Sequence, residues 1–159
     1  LFRSRHAITK LADLHFVATP KAAERVIRMG EEPSRVFVTG CPSIDVACRA
    51  LSNPEFDPAS LFQRYGGVGV RLTLSKGYIV VLQHPVTTEY EKSRQHIHET
   101  LHAVSESGLD TLWFWPNVDA GSDGTSKGIR SFRETHALPH VHFFKNLAPE
   151  DFQIGRAHV

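Results

Sequence analysis

Tyr78-Ile79-Val80-Val81-Leu82-Gln83-His84-Pro85-Val86-Thr87-Thr88-Glu89 is the stretch that decides the fold. Its first six residues read as a strand, and His84-Pro85 ends it. Thr88 to Ser107 then reads as a helix stopped by Gly108. The pattern repeats. Thr111 to Trp115 is a strand, Thr125 to Thr135 a helix, His140 to Phe144 a third strand, and Pro149-Glu150-Asp151-Phe152 opens another helix. Strands alternating with helices over short connections predict a parallel sheet in an α/β protein.

Upstream of Tyr78 the rhythm is lost. Pro54, Pro58, Gly66, Gly67 and Gly69 break the periodicity of 51–77, with one short helix at about 58–65, so the segment reads as an interdomain linker. Residues 1–50 repeat the α/β pattern. Ile8, Leu11, Ala12 and Leu14 recur at helical spacing over roughly 4–14, and Leu14-His15-Phe16-Val17-Ala18 is a short strand. Thr19-Pro20 suits the start of a helix from Lys21 to Met29, closed by Gly30. Arg35 to Gly40 is a second strand with a glycine turn. The expected organisation is the end of one α/β domain (1–50), a linker (51–77) and the front of a second domain (78–153). The final six residues, Ile154-Gly155-Arg156-Ala157-His158-Val159, match what a common sequencing adapter encodes, and 154–159 is expected to be a non-native tail on a fragment.

Composition narrows the function. Of 159 residues, 41% are hydrophobic and 22% charged, as in an ordinary globular chain. Lys plus Arg (18) nearly balances Asp plus Glu (17), with no basic half, which argues against a nucleic-acid binder. The apolar run at Tyr78–Leu82 is far short of the roughly 20 residues that span a bilayer, so no membrane partner is expected. Cys41 and Cys48 make neither a disulfide framework nor a four-ligand zinc site, and a reduced cytoplasmic setting is expected.

In a parallel sheet, ligands bind beyond the carboxyl ends of the strands. Three loops leave such ends: His84 to Glu89, Pro116 to Gly124, and Lys145-Asn146-Leu147. Glycines let main-chain N–H groups approach a ligand, and the helix N-terminus that follows favours an anion. A nucleotide diphosphate suits this arrangement, with His84 donating to a phosphate and Asn117 reading a ribose or base edge. The same residues also serve as plain turns and caps.

Arg5-His6-Ala7-Ile8-Thr9-Lys10-Leu11, Leu14-His15-Phe16, Gly40-Cys41-Pro42-Ser43-Ile44-Asp45, Gln83-His84-Pro85-Val86-Thr87-Thr88 and Pro116-Asn117-Val118-Asp119-Ala120-Gly121-Ser122 stand in order. Together they resemble the hydrolysing UDP-N-acetylglucosamine 2-epimerases, in the branch that feeds sialic acid synthesis. The resemblance covers roughly 5–153. It implies a glycosyltransferase-B-like fold of two Rossmann-like domains, here the end of the first and the front of the second. The implied substrate is UDP-GlcNAc, converted with water to UDP and N-acetylmannosamine by elimination to a 2-acetamidoglucal and then hydration. No cofactor or metal is implied, and the full-length parent is expected to form a homo-oligomer.

By similarity, His84 contacts the diphosphate, Asn117 and the backbone around Leu147 contact the uridine, and Arg5 stands where the family has a cleft arginine. Lys127, Arg130, Arg133 and Lys145 correspond to the region where some animal members bind the feedback inhibitor CMP-sialic acid. The family's catalytic carboxylates fall upstream of Arg5, and its phosphate and ribose loop falls after Phe152. Residues 1–159 alone are therefore expected to show no turnover. Within the class, a UDP-diacetamido or GDP-linked sugar is the second substrate choice.

Other signals compete. A retaining glycosyltransferase would share the fold. His98-Glu99-Thr100-Leu101-His102 matches the HExxH zinc-hydrolase pattern, with His96, His136, His140 or His142 as candidates for the third ligand it needs, but ten histidines make chance matches easy and a solvated helix face is the preferred reading. Trp113, Phe114 and Trp115 read as a buried strand, and Asp119 and Asp123 as turn or cap residues.

Overall fold

The computed structural model describes residues 2–52, 57–86 and 88–152; the 154–159 tail lies outside them. The chain forms two compact units, Leu1–Arg49 and Ala50–Val159.

In the first unit, α1 (Phe2–Leu11) precedes β1 (His15–Val17), α2 (Pro20–Arg28), a 3-10 turn at Pro33–Arg35 and β2 (Val36–Val38). Strands β1 and β2 are parallel, with His15 opposite Val36 and Val17 opposite Val38. Helix α2 makes the crossover that parallel pairing requires. Thr19 caps it, its hydroxyl accepting the Ala22 amide at 3.2 Å, with Pro20 in the first turn. Helix α3 (Pro42–Ser52) is not among the elements expected from the sequence. Its start lacks the usual Ser, Thr, Asp or Asn cap. Cys41 stands there instead, its sulfur accepting the Ser43 and Ile44 amides, which pull the thiol below its ordinary pKa.

Lys10 ties this unit together. Its ammonium donates to the Met29 carbonyl at 2.9 Å and to Glu31 Oε1 at 2.7 Å, while Glu31 Oε2 faces His15 Nε2 at 3.2 Å. Lys10, and then His15, hold the Glu31 carboxyl below its ordinary value of 4.5. A depressed carboxyl stabilises the fold above its unfolded pKa, and that contribution is lost as pH falls through the folded value. In a carbon-13 NMR titration Glu31 is expected to turn over below 4.5 and to move up in Lys10→Ala. A midpoint unmoved by the substitution would dissolve the brace.

The second unit holds α4 (Pro58–Tyr65), β3 (Val68–Gly69), β4 (Ile79–Leu82), α5 (Ser93–Ser107), β5 (Thr111–Phe114), α6 (Ser122–Thr135) and β6 (Val141–Phe144). Residues 149–152 are helical again. The strand order is β3-β6-β5-β4, with β4, β5 and β6 parallel and β3 antiparallel at the edge. Side chains alternate across this sheet. Leu112, Phe114 and Phe144 point to one core with Leu61, Phe62, Leu72 and Leu74. Trp113, Val141 and Phe143 point to the other, against Ile97 and Leu101 of α5 and Ile129 and Phe132 of α6.

The expectation that 51–77 is a linker outside the core is therefore corrected for its described part. Leu61, Phe62, Leu72 and Leu74 are buried, and β3 extends the sheet. Two of the three glycines that look like linker breakers are steric necessities. Gly67 (φ +100°) and Gly69 (φ +125°) leave no room for a Cβ beside His142 and Val141. The buried His142 ring fastens the same segment, Nδ1 lying 2.9 Å from the Val70 carbonyl and Nε2 2.8 Å from that of Gly66.

Helix α5 begins at Ser93 rather than Thr88, after a 3-10 turn at Tyr90–Lys92, and α6 begins at Ser122 rather than Thr125. Gly124 and Gly128 let the two helices close up, since a Cβ at either would strike Ser93 or Ile97. No helix among the described residues is long and apolar enough to cross a membrane.

Candidate functional site

Because β4, β5 and β6 are parallel, their carboxyl ends lie on one edge of the sheet, and the loops that follow gather there. After β4 come Gln83 and His84; after β5, Trp115 to Gly121; after β6, Lys145 to Ala148. Gly121, at φ +89°, carries the second loop to within contact of the first, where a Cβ would press on Pro85 and Tyr90. Only glycine fits a close approach in that conformation.

His84 Nδ1 stands 3.9 Å from Asp119 Oδ2 across these two loops, with 37% of the histidine side chain and 44% of the aspartate exposed. That distance is too long for a hydrogen bond but within range of charge attraction when the ring is protonated. Asp119 also shapes its own turn, its amide donating to the Asn117 carbonyl at 2.9 Å and its carbonyl accepting the Ser122 amide at 3.0 Å. Asn117 is exposed on the same loop. Gln83 Oε1, next to His84, is buried without a hydrogen-bond partner. Helix α6 starts here with Gly121 at its cap position and no side-chain cap. With the Ser122 amide turned onto the Asp119 carbonyl, the amides after it carry the positive end of the helix dipole at this loop.

Leu147 enters differently from what its side chain suggests. That side chain is buried in the first core. The Leu147 amide donates to Asn146 Oδ1 at 3.0 Å, and the Ala148 amide to the Tyr65 hydroxyl at 3.1 Å. What Leu147 itself can offer a ligand is its main-chain carbonyl oxygen.

The remaining expected positions scatter. Arg5 is exposed on α1, in the first unit. On α6, Lys127 pairs with Asp123 at 2.7 Å, Arg130 lies over the Trp115 ring at 5.8 Å, and Arg133 over Phe143 at 4.9 Å. Lys145 is exposed just past β6. The HExxH histidines face α6. The His98 and His102 rings meet Phe132 edge-on at 5.8 and 4.8 Å, and His102 meets His136 at 5.5 Å. No group of three or more potential ligands is placed for a metal among the described residues. The zinc-hydrolase reading finds no three-ligand site among the described residues.

A groove of about 390 Å³ opens between Asp57, at the start of α4, and Thr73. The Asp57 carboxylate is spent there capping α4, on the Ala59 and Ser60 amides at 2.9 and 3.1 Å. Arg71 faces the same groove, and the rest of its lining is Pro58, Ala59, Phe62, Leu72 and Thr73.

Sequence comparison places these features in a family. The chain is 28% identical to a UDP-N,N'-diacetylbacillosamine 2-epimerase (hydrolyzing) of Legionella pneumophila, over 96% of this chain and 40% of that protein. It is 26% identical to a UDP-N-acetylglucosamine 2-epimerase of Neisseria meningitidis, over 87% of this chain and 35% of that one. Polysialic acid biosynthesis protein P7 of Escherichia coli is 33% identical over 80% of this chain and 31% of its own length. The chain thus spans two fifths or less of these relatives. Residues 3–154 match the model of the UDP-N-acetylglucosamine 2-epimerase family, and the chain belongs to that family.

Proposed function

We propose that the complete protein is a hydrolysing UDP-N-acetylglucosamine 2-epimerase, releasing UDP and N-acetylmannosamine for sialic-acid-type sugar synthesis. The carrying observation is the pairing of His84 with Asp119 beside the uncapped start of α6, in a chain of this family. A departing diphosphate needs positive charge and fixed donors where its charge develops. His84 supplies a donor to the diphosphate, Asp119 lies 3.9 Å from the ring and attracts it when it is protonated, and the start of α6 adds the helix dipole. Asn117 and the Leu147 carbonyl take the uridine, and uracil N3–H finds an acceptor in that carbonyl. Base and acid chemistry at C2 is left to the family's carboxylates, Arg5 corresponds to the family's cleft arginine, and the fold is glycosyltransferase-B-like. The parent works as a cytoplasmic homo-oligomer, without cofactor. An anionic regulator at Lys127, Arg130, Arg133 and Lys145 would have to compete with Asp123 for Lys127.

A second reading, a UDP-diacetamido sugar as substrate, is favoured by the printed activity of the Legionella pneumophila relative. Offering the purified complete protein each nucleotide sugar in turn, with a chelator present, decides between them. UDP and free N-acetylmannosamine from UDP-GlcNAc support the first; release only from the diacetamido sugar supports the second. Turnover is expected to survive the chelator. Activity lost with EDTA and restored by zinc would contradict both.

A further inference from the structure

Tyr65, at the end of α4, occupies a position that no sequence signal marks. Its hydroxyl accepts the Ala148 amide at 3.1 Å and donates to Asp151 Oδ2, the same oxygen that takes Arg64 Nη1 at 2.7 Å. Donating to a carboxylate makes the phenol oxygen a stronger acceptor, so the two bonds reinforce each other. Leu147, one residue before, is anchored by its buried side chain.

A trans peptide holds its C=O and N–H antiparallel in one plane. No cis peptide occurs among the described residues. With the Ala148 amide drawn onto Tyr65, the Leu147 carbonyl must point away from α4. We infer that Tyr65 is a positioning residue that sets the 147–148 peptide plane, so that the Leu147 carbonyl meets the base of a bound uridine nucleotide. This rests on the nucleotide reading above and adds a specificity consequence. Uracil carries a hydrogen on N3, whereas cytosine N3 is a bare acceptor, so a fixed carbonyl favours the first and repels the second.

The test is calorimetric binding of UDP and CDP to the complete protein. Wild type is expected to prefer UDP. Tyr65→Phe, which keeps the ring and loses both hydroxyl bonds, is expected to weaken UDP binding about tenfold and to erase most of the preference over CDP. KM for the nucleotide sugar should rise by a similar factor with little change in kcat. Asp151→Ala leaves the hydroxyl to Ala148 but removes its acceptor, and the same shift, about threefold, is expected. It carries the test should Tyr65→Phe not fold. Equal weakening of UDP and CDP would make Tyr65 a structural brace only and overturn the inference, as would unchanged binding. Wild type that binds no UDP would instead overturn the nucleotide reading on which it stands.

Discussion

His84→Ala in the complete protein is expected to lower kcat/KM for the nucleotide sugar by about a hundred- to a thousandfold, the usual cost of losing one donor aimed at developing charge. The ring follows the carboxyl end of β4, is 37% exposed and lies 3.9 Å from Asp119. Little of the fold depends on it, so thermal stability should hardly change. A split in the kinetics locates the contact. If His84 acts on the leaving diphosphate, kcat falls more than KM rises; if it only binds ground-state nucleotide, KM carries the loss. Asp119→Asn keeps the turn but removes the charge, and a smaller loss in the same direction is expected. Retention of activity by His84→Ala within threefold of wild type would remove the residue from the site.

Phe132→Ala is expected to destabilise the second unit by about 3–5 kcal/mol, the range for deleting a fully buried aromatic. The side chain is 1% exposed. Its ring stacks on His136 at 4.0 Å and takes His98 and His102 edge-on. It also joins Ile97, Leu101, Trp113 and Ile129 in the core between the helices and the sheet. Hydrogen exchange in α5 and α6 of the complete protein reads the loss without requiring the whole chain to unfold in two states. A change below about 1 kcal/mol would mean that the core relaxes around the deletion, against the close packing that Gly124 and Gly128 impose.

The strands were legible because their residues are β-branched or aromatic and end in turn signals, as at Ile79–Leu82 and Val141–Phe144. Helix α3 was hidden because Cys41 does a cap's work with sulfur, which no propensity rule anticipates. The segment around α4 misled for another reason. Its glycines are spaced like a flexible connection, and only the nearness of His142 and Val141 reveals Gly67 and Gly69 as close-approach positions. At the site, His84 and Asn117 stood out as polar residues after a strand, while Asp119 looked like an ordinary turn residue and is one as well. The HExxH spacing is a weak signal for a geometric reason. Residues four apart share a helix face whether that face holds a metal or an aromatic ring, and here it holds Phe132. Tyr65 left no trace, because its partners at 148 and 151 are more than eighty residues away in sequence.

The measurement that bears most directly on the nucleotide site is hydrogen exchange of the complete protein with and without UDP. Protection concentrated at 84–89, 117–124 and 145–148 is the expected result, with the Asp57–Thr73 groove and the His98–His102 face of α5 unaffected. Protection at the groove or on α5, with the strand-end loops exchanging as before, would contradict the account.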